Sequence, residues 1–203
     1  MTTPTLVASL DGITPLPPGR CAAIKTYLAR DVPVDRSEPS LSVTLTRLNG
    51  RQETRYRAIF TVLGTRWLWW SRLMLTPEAR TTILDDARVE AYAIMDTDID
   101  IGLLELDFRE PAADLAFLGL FEHHTGRGLG EELIRFALAR AARRGTRRMT
   151  VNTCTFDHPA ALGFYRRMGF EVQSQAIEIV PDPRLAGLLP TGAAPHVPML
   201  IKP

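Results

Sequence analysis

Lysine is almost missing from this chain: Lys25 and Lys202 are its only two, and arginine supplies the rest of the positive charge. The arginine usage has two readings, selection for bidentate anion contacts or a codon bias, and the second is adopted. Cysteine is as scarce. Cys21 and Cys154 lie far apart and without metal-ligand spacing, so neither a disulfide framework nor a zinc site is predicted, and a reducing cytoplasm is the expected compartment. Nowhere do eighteen apolar residues run together, and the opening "MTTPTLVASLDG" lacks a basic stretch followed by a long apolar run, so neither a membrane span nor an export signal is expected. The formal net charge is only +1, which gives no global pull toward nucleic acid. Internal repeats and low-complexity tracts are absent too.

What is present suits one globular domain with a sizeable core: 203 residues, 45% hydrophobic and 23% charged. Residues up to about Pro39 carry "TPLPPG", "DVPVD" and "SEPS", and are expected to form an irregular arm around one short apolar piece, "AAIKTYLA". "LSVTLTRL" alternates as a strand does, and "ETRYRAIFTVLG" moves to helical spacing through Tyr56, Ile59, Phe60 and Leu63. In "TPEARTTILDD", Thr76 is placed to cap a helix and Pro77 to open it. Three strand-like runs follow, "RVEAYAIMD", "IDIGLLELDFR" and "DLAFLGLF", joined by connections short enough for antiparallel hairpins. A helix over 128–144 is then predicted to end at Gly145. "RMTVNTCT" reads as a strand, "HPAALGFYRRMG" as a short helix and "FEVQSQAIEIV" as a last strand, while the prolines of "PDPRLAGLLPTGAAPHVPMLIKP" forbid a long helix and predict an extended, docked tail.

The clearest helix is preceded by three glycines in "TGRGLG". A helix start exposes unpaired N–H groups and about half a positive charge, and glycines let a ligand come close to them, so the segment is a candidate anion site. It is not a dinucleotide fingerprint, since the sixth position counted from Gly126 is Glu131 and from Gly128 is Leu133; no Gly-Lys-Ser/Thr follows to make a P-loop. A tight turn with no ligand is the competing reading of this stretch alone.

"LGLFEHHTGRGLGEELI" resembles the pyrophosphate-binding segment of the GNAT superfamily of acyl-CoA-dependent N-acyltransferases, and "DHPAALGFYRRMGF" resembles its downstream helix, in the family's order. The resemblance runs from about Leu41 to Val180. It implies a mixed α/β fold: a mostly antiparallel sheet, flanked by helices, with one parallel strand pair splayed apart. The chain then divides into an N-terminal arm (1–40), the acetyltransferase domain (41–180) and a Pro-rich tail (181–203). It further implies acetyl-CoA as co-substrate, with no metal. Main-chain groups of Leu118 and Leu120 would pair with the pantetheine arm as an added strand does. Thr125, Gly126, Arg127, Gly128, Leu129 and Gly130 would hold the pyrophosphate, with His158 and Phe164 beside the cofactor. Two positions depart from the family: Thr125, where Gln or Arg is usual, and His158, where Asn is common.

By the same resemblance Tyr165 is the candidate proton donor to the leaving thiolate, Asp114 the first candidate base and Glu105 the second. Their bland alternatives are a core tyrosine beside Phe164 and carboxylates paired with arginine. Cys154 has nothing in the sequence to lower its pKa, so direct attack in a ternary complex is expected over an acyl-cysteine. Trp67, Trp69, Trp70 and Arg72 occupy the connection between the first two helices, which borders the acceptor site in this superfamily; core burial is an equal reading of the tryptophans. A non-catalytic acyl-CoA sensor is the alternative function, and no nucleic-acid or membrane partner is expected. The acceptor amine is not legible, and a homodimer stays open.

Overall fold

The computed structural model describes residues 11–35 and 37–201, so the reading of the first ten residues as free of an export signal falls outside it. Seven strands of the described residues form one sheet: β1 (Arg20–Asp31), β2 (Thr44–Leu48), β3 (Val89–Asp96), β4 (Ile99–Asp107), β5 (Ala113–Leu120), β6 (Arg148–Cys154) and β7 (Glu171–Pro181). Among the described residues four α-helices accompany them: α1 (Glu53–Trp67), α2 (Pro77–Asp85), α3 (Leu129–Arg143) and α4 (Ala161–Arg167). The strand order is β2-β3-β4-β5-β6-β1-β7, with β5 and β6 the one parallel pair and every other neighbour antiparallel.

Residues 20–31 correct the expectation of an irregular arm. They form a twelve-residue strand seated between β6 and β7, paired with both along most of its length. The "AAIKTYLA" piece alternates with period two, and the prolines that suggested a loop lie on either side of the strand rather than in it.

Side-chain alternation gives the sheet two packed faces. Ala91, Ala93 and Leu103 meet Tyr56, Ile59, Phe60 and Leu63 of α1 and Leu84 of α2. Leu104, Leu106, Leu115, Met149 and Val151 meet Leu133, Ile134, Ala137 and Ala141 of α3 and Tyr165 of α4. The local rules that shape the helices operate as the sequence predicts. Thr76 accepts from the Ala79 N–H at 3.2 Å, with Pro77 opening α2. Gly145 ends α3 in a Schellman turn, in which the Thr146 and Gly145 N–H groups each reach back, to the Ala141 and Ala142 carbonyls. α4 ends the same way, with Phe170 N–H donating to the Tyr165 carbonyl and the two rings in contact at 5.8 Å.

The arginine-rich end of α3 points inward to acids. Glu90 of β3, 2% exposed, is gripped by Arg140 and by Arg144, the latter at 2.6 Å. Arg140 and Arg143 also share Glu38. The tail past β7 docks as expected, around one buried ion pair, but it is built of successive turns rather than extended chain, with Ala186 N–H donating to the Asp182 carbonyl and Leu188 N–H to that of Pro183. Arg184 holds both oxygens of Asp182 and donates to the carbonyls of Ala193 and Val197. Leu189, Ala194 and Val197 then pack on Leu68 and Phe156, and Ala194 N–H caps the Thr65 carbonyl near the end of α1. No helix among the described residues is long and apolar enough to cross a membrane.

Candidate active site

Strands β5 and β6 pair only over Ala113–Leu115 and Met149–Val151, after which they part. A cleft of ≈ 940 Å³ opens there, running from the glycine turn to the connection between α1 and α2. Its β5 edge carries free main chain. Phe121 N–H donates to the Ile101 carbonyl at 2.7 Å, so by the antiparallel alternation Gly119 also faces β4, and the main-chain groups of Leu118 and Leu120 turn toward the gap.

One end of the cleft is the start of α3. Gly128 occupies the N-cap position at φ 83°, a left-handed conformation that costs glycine little, and it contributes no side chain to satisfy the first amides of the helix. Gly126 is likewise left-handed, and a methyl group placed on either glycine would meet nothing within 4 Å. The turn is therefore an open cradle of N–H groups. Phe164 packs against Gly130 on the wall beside it. Among the predicted cofactor residues, Thr125, Gly126, Gly128, Gly130, His158 and Phe164 line the cleft together with Leu118 and Leu120. Two do not: Arg127 is exposed and outside the lining, and the Leu129 side chain is buried in the core, leaving only its backbone for a ligand. The Thr125 hydroxyl donates to the Glu122 carbonyl at 2.8 Å, so its proton is already engaged. His158 accepts from the Ala160 N–H through Nδ1 and lies 5.2 Å, edge-on, from the Trp67 ring.

Asp114 and Tyr165 also line the cleft. Asp114 accepts from the Thr150 hydroxyl at 2.9 Å; burial lifts its pKa above the usual carboxylate value, with the nearby charges of Asp107 and Glu105 adding to the rise and Thr150 opposing it. Burial also pushes the Tyr165 phenol well up, and the carboxylates of Asp157 and Asp114 push the same way. The Cys154 thiol is raised to about 12, first by burial and then by Asp157, and thus holds its proton at neutral pH.

Glu105 is not brought to the cleft. It is fully buried and outside the cleft lining, with one oxygen taken by the Tyr56 hydroxyl at 2.5 Å and the other by Arg72 at 2.5 Å. What it does is hold Arg72, which lines the cleft and stacks over Phe117 at 5.2 Å. Trp67, Trp69 and Trp70 line the same wall.

Asp157 was not singled out in the sequence. It lines the cleft and accepts three hydrogen bonds, from Trp69 Nε1, the Thr153 hydroxyl and the Cys154 N–H. Its one sequence signal is an aspartate two residues before Pro159, at a turn. Lys25 was hidden because β1 was not read as a strand; it reaches the cleft paired with Glu178. Among the described residues, no group of three or more His, Cys, Asp or Glu is placed to hold a metal ion.

In sequence, residues 54–170 match the model of the acetyltransferase (GNAT) family. No curated protein matches the chain in sequence. In structure it is similar to a functionally unknown conserved protein from Staphylococcus epidermidis (TM-score 0.60, 13% identity, 81% of this chain and 63% of that one). It is also similar to a GCN5-related N-acetyltransferase from Sphaerobacter thermophilus (TM-score 0.57, 17% identity, 79% of this chain and 52% of that one). A third similarity is to an acetyltransferase from Thermus thermophilus (TM-score 0.51, 23% identity, 70% of this chain and 97% of that one). The chain thus spans less than two thirds of the first two structures, and at these identities the likeness concerns the fold. With the family match covering more than half of its length, over the cleft just described, the chain belongs to the GNAT family of acetyltransferases.

Proposed function

We propose that the protein is an N-acetyltransferase that moves the acetyl group of acetyl-CoA to a primary amine by direct attack in a ternary complex. The observation that carries this reading is that a half-buried carboxylate and a buried phenol, Asp114 and Tyr165, line one cleft that starts at an uncapped helix N-terminus.

The amides at the start of α3 take the pyrophosphate, and the free edge at Leu118 and Leu120 takes the pantetheine arm as a short added strand. An alkylamine with a pKa near 10 is mostly protonated at pH 7, and its ammonium has no lone pair to attack with. Asp114 receives that proton, directly or through a water, and its raised pKa makes it a better base than an exposed aspartate. The amine nitrogen then bonds to the thioester carbonyl carbon. As the C–S bond breaks, Tyr165 gives its proton to the sulfur and takes back the second proton that the nitrogen sheds on becoming the amide; the amide and free CoA leave, and Asp114 passes its proton to water. Cys154 stays out of the sequence because its thiol remains protonated. The two free cysteines fit a reducing cytoplasm, where acetyl-CoA is available.

An amine library assayed for release of free CoA tests the proposal. A productive amine should lose most of its neutral-pH turnover in Asp114→Asn and regain part of it as rising pH supplies the neutral amine. Tyr165→Phe should lower turnover by ~10² to 10⁴ at every pH. CoA release that is indifferent to both substitutions would overturn the assignment.

A further inference from the structure

The Trp69 indole spans the gap between the two parted strands. On one side its ring lies against β5. It is 5.4 Å from the Phe117 ring, and so close to Gly119 that a methyl group there would fall 2.9 Å from Cη2. On the other side Nε1 donates at 2.8 Å to Asp157, three residues beyond the end of β6. Both ends are fixed. Asp157 is locked by Thr153 and by the Cys154 N–H at 2.7 Å. The Trp69 backbone is pressed onto α1, where a methyl group on Gly64 would come 2.3 Å from its carbonyl oxygen, and buried Leu68 before it turns the chain through φ 56°. Phe60 backs the ring at 5.9 Å.

Asp114, Thr150 and the Trp69 wall belong to the α1 face of the sheet, whereas Leu115, Val151 and Tyr165 belong to the α3–α4 face. An acyl chain that enters between β5 and β6 from the α3 side therefore meets the indole as it emerges. We infer that Trp69, fastened to Asp157, is the end wall of the acyl site and restricts the donor to short acyl groups. This rests on the acyl-CoA reading above. Where a channel has room, each methylene buried adds about fourfold to affinity; against a wall held at both ends, added methylenes force displacement of packed groups and weaken binding instead.

The test is calorimetric binding of CoA, acetyl-CoA, butyryl-CoA and octanoyl-CoA to the wild type, Trp69→Ala and Trp69→Phe, with each acyl-CoA affinity referred to that for CoA in the same protein. The wild type should bind octanoyl-CoA ~10-fold or more weakly than acetyl-CoA. Trp69→Ala should reverse that order. Trp69→Phe, which keeps an aromatic ring against Phe60 and Phe117 but drops the bond to Asp157, should fall between them, and it carries the test should Trp69→Ala not fold. Equal wild-type affinity for the short and long donors, or a preference that neither variant moves, would overturn the end wall while leaving CoA binding intact. Failure of the wild type to bind CoA at all would overturn the acyl-CoA reading and the wall with it.

Discussion

Glu105 and Arg72 form an ion pair at 2.5 Å in which the carboxylate is sealed in the core and the guanidinium reaches the cleft. Taking both charges out of water is costly, and the pair is tolerable because Tyr56 occupies the second carboxylate oxygen. The pair ties β4 to the connection that bears the tryptophans.

Arg72→Ala should strand the Glu105 charge and cost about 3–5 kcal/mol, the range for breaking a buried pair. Glu105→Gln should be milder, because a neutral amide remains to meet Tyr56 and Arg72. Urea unfolding of the two variants checks the order. If Glu105 were instead a base, its substitution would leave stability alone and change the pH–rate profile.

Glu90 predicts an acid limit. Despite its burial, the hydrogen bonds from Arg140, Tyr92 and Arg144 hold its pKa at about 2 against an ordinary 4.5. A depressed folded pKa means that the stabilisation is fully present above pH 4.5 and is lost as pH falls from there toward 2. The loss at the acid end should be about 3 kcal/mol, at 1.36 kcal/mol per unit. Glu90→Gln should flatten this part of the stability curve, measured by urea midpoints across the acid range.

Arg184 predicts how firmly the tail is held. Its fork binds Asp182 bidentately, and its Nη1 also serves tail carbonyls, a geometry that an ammonium cannot copy. Arg184→Ala should cost about 3–5 kcal/mol by stranding Asp182, and Arg184→Lys should recover only part of it. Limited proteolysis should show earlier cleavage past β7 in both. A tail as resistant as in the wild type would contradict this.

Much of the fold was legible because local rules and tertiary packing agree. Thr76 and Pro77 open α2, Gly145 closes α3, and the strands from Val89 to Leu120 alternate between two packed faces. β1 was missed because a strand buried between two others need not show flanks that look like a strand's; its pairing with β6 and β7 is more than a hundred residues away in sequence. That the glycine turn, Tyr165 and Asp114 line one cleft is what their place in the family's motifs implies. The burial of Glu105 was not legible because it is decided by Tyr56 and Arg72, which no spacing reveals. The Trp69–Asp157 bond joins residues 88 apart, and only the folded chain brings them together.

The central claim is that acyl-CoA is held by the amides that Gly128 leaves open at the start of α3. Calorimetry of acetyl-CoA with the wild type, Gly128→Ala and Gly128→Glu tests it most directly. The first variant carries only the strain of a side chain at φ 83°, and the second adds a negative charge against the pyrophosphate. The account predicts binding by the wild type, a modest loss in Gly128→Ala and a further ~100-fold loss in Gly128→Glu. Equal affinity of the two folded variants for acetyl-CoA would contradict it.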